Sequence, residues 1–305
     1  MAAPTTKVSQ FSAIEFPTLV ASLLALGVPA WAQGQSKPCA NAAPPPGAQS
    51  LGYDRLVFCV TPTLNDIDNT WTASSTKLYT GSWYDKNRPL IPPFAMSGQA
   101  LVLTAGGVST QTHQSTQGAL PLLLAGAGFY VEFAEWLSDN DSDHWPAVWL
   151  MPQEHDGKHH DYVPGDPPGS ERFVELDVDE GGFNPGHHGA MIYWSGTWPH
   201  YQKHQQGNDP RSTFGIDRTQ EHIFGLSYDP AGKQVTWWVD GVNVGNASTE
   251  TVPSIVNSHH YYLNIDHQTH KLDHPYMMYI AYFSAWSKAV PPKPPAGVKA
   301  EPVPQ

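Results

Sequence analysis

Charge is what this 305-residue chain has least of: Asp, Glu, Lys and Arg together make up 14% of it, against about a quarter in ordinary soluble domains. The deficit falls on one sign, since 28 acidic residues stand against 16 basic ones and the net charge is −12. Nucleic acid and anionic membrane surfaces would repel such a chain, and neither is expected as a partner. Cysteine is almost absent. Cys39 and Cys59 are the only two; without histidines at finger spacing they make no zinc site, and in an exported chain an even pair favours a disulfide. There is no Gly-rich phosphate loop, no G-x-S-x-G elbow and no H-E-x-x-H, so the chemistry those motifs carry is not indicated. Helical patterning is missing too: outside the N-terminus no segment longer than about ten residues keeps a 3.6-residue period.

Long apolar runs are equally scarce. The stretch "TLVASLLALGV", Thr18 to Val28, is too short to span a bilayer, which takes about 20 residues. With Lys7 before it and Ala30-Trp31-Ala32 after it, it matches a secretory signal with an A-x-A cleavage site. The expectation is a signal peptide over 1–32 and a secreted or periplasmic product. An Ala- and Pro-rich lead-in follows over 33–50, and a Pro-rich tail of mobile composition closes the chain over 289–305. Between them, 51–288 shows no comparable break and no internal repeat, and reads as one domain. A Cys39–Cys59 bridge would tie the lead-in to the first strand. Cys39 follows "SKP", which is unlike a lipid-attachment sequence.

What the chain does have is aromatic residues, 11% with 11 Trp, and short alternating or β-branched runs between Gly, Pro, Asn and Asp clusters. These include "YDRLVFCV", "KLYTGSWY", "ALVLTA", "FYVEFAEWL", "FVELDV", "HIFGLSYD", "QVTWWVDG", "YYLNI" and "MMYIAYFSAW". Period-two patterning at this spacing predicts an all-β fold, an antiparallel sandwich or barrel. The clearest hairpin turns at Tyr228 to Gly232 and returns along Gln234 to Val239.

One strand is anomalous. "ERFVELDVDE", Glu171 to Glu180, carries five carboxylates, although like charges two apart on a strand share a face and repel. Glycoside hydrolysis needs such a pair of carboxyl groups, one on each side of the scissile bond. Glu175 and Glu180 are five apart, which on a regular strand puts them on opposite faces. One extra residue, a β-bulge near Val178 and Asp179, returns them to the same side. Without it the same-face set is Glu175, Asp177 and Asp179, and the sequence permits both registers.

Here the chain resembles glycoside hydrolase family 16, whose bulged members carry E-x-D-x-x-E on a strand of a concanavalin-like β-jelly roll. "HWPAVWLMP" (144–152), "EHIFGLSYDPAGKQVTWWVDG" (221–241), "YMMYIAYFSAW" (276–286) and "GQALVLTA" (98–105) each look like an ordered motif of that family. The likeness extends over roughly Gly98 to Trp286, several motifs in order making chance a poor explanation. The resemblance implies a jelly roll with a concave substrate cleft, with Glu175 as nucleophile, Asp177 as the residue that orients it, and Glu180 as acid then base. It implies a retaining endo-glycosidase acting on a polysaccharide, first of all a β-1,3-glucan, with no cofactor and no catalytic metal. Transglycosylation and galactan cleavage stay open, as does a non-catalytic carbohydrate-binding protein on the same fold. The sequence departs from the family pattern in two places: Ser170 stands where many laminarin-cleaving members have Trp, and Ala281 replaces an Asp that in relatives helps bind calcium.

Sugars stack their apolar faces on flat rings; Trp149, Phe173, Trp194 and Trp198 are the expected platforms, Trp194 and Trp198 being as well suited to the core. His222 matches a family histidine expected to help order the cleft, a plain strand histidine being the alternative. Trp237 and Trp238 read as core wherever they face inward. Among 15 histidines the doublets would point to opposite strand faces and bind a metal poorly. His155, His159 and Asp161 could surround zinc, but no metal is expected. "DNDSD", Asp139 to Asp143, lacks the Gly and distal Glu of a calcium loop.

Overall fold

The computed structural model describes residues 39, 42–71, 76–81, 93–111, 118–155, 161–181, 186–207, 215–247, 251–269 and 274–288. The expected signal peptide, the lead-in before Ala42 apart from Cys39, and the Pro-rich tail lie outside them. Among the described residues the strands are β1 Arg55–Val60, β2 Ile67–Asp68, β3 Leu78–Thr80, β4 Phe94–Ser97, β5 Ala100–Leu103, β6 Gly106–Ser109, β7 Leu123–Leu124, β8 Phe129–Leu137 and β9 His144–Pro152. The second half adds β10 Glu171–Glu180, β11 Ala190–Gly196, β12 Gln202–Gly207, β13 His222–Asp229, β14 Gln234–Val239, β15 Val242–Ala247, β16 His260–Thr269 and β17 Met278–Ser287.

They form two sheets. One runs β15-β14-β13-β8-β17-β5-β4 with β1 beside β17; the other runs β12-β11-β10-β9-β16-β6-β3-β2 with β7 beside β16. Pairing is antiparallel except between β2 and β3. This is the antiparallel β-sandwich the patterning predicts. Its core interleaves one face of each sheet: Val131, Phe133, Phe224 and Trp237 meet Val148, Leu150, Val174 and Leu176. Each fully buried side chain of this kind stabilises the fold by about 1.5–3 kcal/mol. The hairpin turns where expected, Asp229 accepting hydrogen bonds from the backbone N–H groups of Ala231 and Gly232.

Several of the described strands were not apparent in the sequence, β11 and β12 among them. β11 reads "AMIYWSG", apolar at consecutive positions because Met191 and Tyr193 pack on the core while Trp194 packs on the other side, which erases period-two contrast. β12, "QKHQQG", is a largely exposed polar edge; such edges resist strand addition and carry no apolar alternation. Of "KLYTGSWY" only Leu78–Thr80 is strand, and residues 82–84 lie outside the described set. The described part of the lead-in holds a short helix, α1 Pro46–Gln49, with Ala48 packed in a cluster with Tyr53, Tyr130 and Trp286. Gly47 is required there, since a Cβ would lie 2.3 Å from the Tyr130 ring. The Cys39–Cys59 disulfide closes this corner with a Cα–Cα distance of 5.4 Å.

Candidate active site

β10 lies between β9 and β11, and its two neighbours see it differently. Against β11 the register runs unbroken from Glu171↔Gly196 to Asp177↔Ala190. Against β9 it slips: Asp177 pairs with Trp149 and Asp179 with Val148, so one residue is extra between them. Val178 and Asp179 are both fully buried, Val178 in the core between the sheets and Asp179 against Arg218. Glu180 consequently returns to the face that carries Glu175 and Asp177. A bulge takes backbone groups out of the ladder, and buried carbonyls need donors. Trp237 supplies one, its Nε1–H reaching the Asp177 carbonyl at 2.8 Å. His187 Nε2 sits 2.9 Å from the Val178 carbonyl, and Glu180 N–H donates to the His188 carbonyl at 2.7 Å.

On the far side of this sheet from the core is an open depression of about 320 Å³, lined by Glu175, Asp177 and Glu180 with a surround of aromatic rings. Trp194 Nε1 donates to Glu175 Oε2 at 2.8 Å and Trp145 Nε1 to Glu180 Oε1 at 3.0 Å. His188 Nε2 stands 3.7 Å from Glu180 Oε2. Burial, then the Glu175 charge, pushes Glu180 up to about 7 despite the Trp145 hydrogen bond. Burial first, with the charges of Glu175 and Glu180 behind it, holds Asp177 well above the usual carboxyl range. Burial also raises Glu175, but hydrogen bonds from Trp194 and Asp177 and the charge of Lys203 pull the other way. The Glu175 charge raises both Asp177 and Glu180, whereas every influence on Glu175 other than its burial lowers it, so the three carboxyl groups share their protons as a coupled set that favours the proton on Asp177 and Glu180 over Glu175.

The expected platforms are unequal. Trp149 lines the depression and donates to Asp266 Oδ2 at 2.6 Å. Phe173 is only 3% exposed, stacked on His155 at 3.6 Å between centroids and nearly parallel to Trp194. It backs the Trp194 ring more than it offers a face. Trp198, 71% exposed, stands at the rim with Tyr201 beside it. His222 is not at this site. It belongs to β13 in the opposite sheet, where its partner Glu135 and neighbour Phe224 face the core; its ring bonds Asp240 and the Asp217 carbonyl. The family match placed it by order along the chain, and strand parity puts it behind the cleft floor. Trp238 packs under α1, and Trp237 is core.

Sequence reasoning missed Trp145, Tyr201 and Gln268 in the lining and Asp266 beneath it. Trp145 was within reach: it lies four residues before Trp149 on one strand and so shares its face. Gln268 follows from the pairing Gln268↔Trp145, which no local pattern announces.

Among the described residues two groups have the donor types and spacing to hold a cation: buried His155, Asp161 and Glu171, and the more exposed Asp141, Asp143 and His274, each set within 4.8 Å. In the first, His155 Nδ1 and Asp161 Oδ2 are 2.6 Å apart, a hydrogen bond, and closer than the roughly 3.3 Å between two ligands of a tetrahedral zinc. His159 lies outside the described residues.

No family model and no curated protein matches the chain. Solved structures do align with it. The laminarinase catalytic domain of Thermotoga maritima MSB8 matches at 15% identity and a TM-score of 0.49, over 77% of this chain and 99% of its own. A laminarinase from Flavobacterium sp. UMI-01 matches at 12% and 0.48, over 76% and 100%. An endo-β-1,3-glucanase from Pyrococcus furiosus matches at 16% and 0.42, over 64% and 77%.

Proposed function

We propose that the protein is a retaining endo-glycosidase that cleaves internal β-glycosidic bonds of a polysaccharide, with β-1,3-glucan the first substrate to try. The observation that carries this reading is the bulge in β10, which sets Glu180 on the wall already occupied by Glu175 and Asp177. The ordered motif likeness to glycoside hydrolase family 16 supports it from the sequence.

In this reading the ionised Glu175 attacks the anomeric carbon while Glu180 passes its proton to the glycosidic oxygen. The carbon–oxygen bond breaks, the leaving chain departs as an alcohol, and the sugar is held as an ester of Glu175. With the Glu175 charge gone, Glu180 is the stronger acid and its carboxylate is free to take a proton from water. That water attacks the anomeric carbon, the ester bond breaks, and Glu175 returns as carboxylate with the configuration retained. Asp177 keeps the charge of Glu175 in place through their shared hydrogen bond. Trp194 and Trp198 present rings to the sugar faces.

Release of reducing ends from laminarin, lichenan and agarose, compared between the native protein and Glu175→Gln, tests the reading. Turnover lost in a folded Glu175→Gln protein is the expected result. Equal release by both, or no release by the native protein from any β-glycan, would leave the non-catalytic carbohydrate-binding protein as the better account.

A further inference from the structure

Asp179 is the acid of β10 that the cleft does not use. It is wholly buried between the sheets, where an ionised carboxylate requires a partner. Arg218 meets it with both prongs, Nη1 to Oδ2 at 2.6 Å and Nη2 to Oδ1 at 2.8 Å. The same Nη2 donates to the Gly186 carbonyl at 3.0 Å, and the guanidinium lies over the Phe224 ring at 5.4 Å. Nη1 is also 3.5 Å from Glu135 Oε1, but burial and the Asp179 charge hold Glu135 well above the usual carboxyl range. The charge of Arg218 is thus matched by Asp179.

The arginine is itself held from behind. Its backbone N–H donates to Asn140 Oδ1 at 2.8 Å, its carbonyl accepts from Leu137 N–H at 2.7 Å, and Asn140 Nδ2 also bonds Asp217. Asn140 of the "DNDSD" segment thereby staples the Arg218 turn. A buried ion pair adds little net stability over apolar residues of the same volume, while one partner without the other is strongly unfavourable. Such a pair can decide between packings, and this strand has two. In the unbulged register Asp179 would face the cleft and Glu180 the interior.

We propose that Arg218 is the positioning residue of the site: by holding Asp179 inside the sandwich it selects the bulged register, which leaves Glu180 facing the cleft. The effect on turnover rests on the glycosidase reading, whereas the register does not, and the two are tested separately. Because the native cysteines are bridged, Glu180→Cys introduces a single free thiol whose alkylation by iodoacetamide reports which way position 180 faces. Adding Arg218→Met is expected to slow labelling roughly tenfold or more in protein that still melts cooperatively, since buried thiols are inert. Adding Asp179→Leu as well is expected to restore it, because an apolar side chain prefers the interior unaided.

On substrate, Arg218→Met in the otherwise native chain is expected to lose about 10²-fold or more in kcat, the share of a general acid, with KM little changed. Asp179→Leu/Arg218→Met is expected to recover most of that loss. If Arg218→Met does not fold, Arg218→Lys replaces it, keeping the charge without the fork, and the same direction is expected. A merely structural Arg218 would lower the melting temperature yet leave labelling and kcat of the folded protein unchanged. Labelling at the parent rate in a folded Arg218 variant overturns the proposal. A native protein inactive on every polysaccharide would sink the glycosidase reading, while labelling still decides the register.

Discussion

Burial, then the two glutamates beside it, push Asp177 well above the usual carboxyl range, and that has a sign in stability. An acid whose folded pKa is raised contributes stability fully present below its unfolded value near 4; this is lost as pH rises towards the folded value, because the unfolded chain then releases the proton more readily. Asp177→Asn cannot ionise, so it is expected to melt higher than the native protein at pH 8, with a difference that shrinks towards pH 4, as thermal denaturation at the two values would show. A lower melting temperature at pH 8 would contradict the raised pKa of Asp177. Activity should fall as pH rises through about 7, where Glu180 loses its proton, and again in acid as Glu175 gains one. At the rim, Trp198→Ala removes an exposed ring and is expected to raise KM by about tenfold, the worth of one stacking contact, with kcat little changed. The acidic cluster was legible residue by residue, because five carboxylates on one apolar strand have few uses. The proton state was not, since it comes first from burial in the folded sheet and is then moderated by Trp145, Trp194 and Lys203 on other elements.

At the scale of elements the bulge decides the site, and it is braced from the opposite sheet by Trp237. The expected consequence of Trp237→Phe is a buried Asp177 carbonyl with no donor, costing about 1–3 kcal/mol in addition to lost packing; urea denaturation would read it. A variant as stable as the native protein would show that the bulge does not depend on that bond. The sequence permits the bulge and its absence alike, because the choice is made by Arg218 and Trp237, which lie 39 and 60 residues from the groups they hold. β13 and β14 stood out by alternation because core residues such as Phe224, Leu226, Val235 and Trp237 alternate there with small or polar ones such as Gly225, Ser227 and Thr236. β11 did not, since both its faces are covered, and His222 was misplaced because motif order along a chain does not say which face of which sheet a side chain occupies.

For the molecule as a whole, the fold class was legible from the spacing of short strands and turns, whereas the order of strands in the two sheets depends on pairings far apart in sequence. The disulfide stands at one corner of the sandwich, Cys59 lying on β1 in the sheet that does not carry β10. It closes a loop of separation 20, for which chain entropy gives about 3 kcal/mol. Cys39→Ser/Cys59→Ser is therefore expected to lower the melting temperature by roughly 5–10 °C and to leave kcat at 25 °C unchanged. A large loss of kcat in the folded variant would show that this corner is coupled to the cleft. The central claim, that Glu175 attacks the sugar directly while Glu180 supplies the proton, is tested most directly by proton NMR of the anomeric signals as the native protein starts to digest laminarin. The account predicts that the β-anomer appears first and mutarotates only later; an α-anomer as first product would contradict it, because water and not Glu175 would then be the nucleophile.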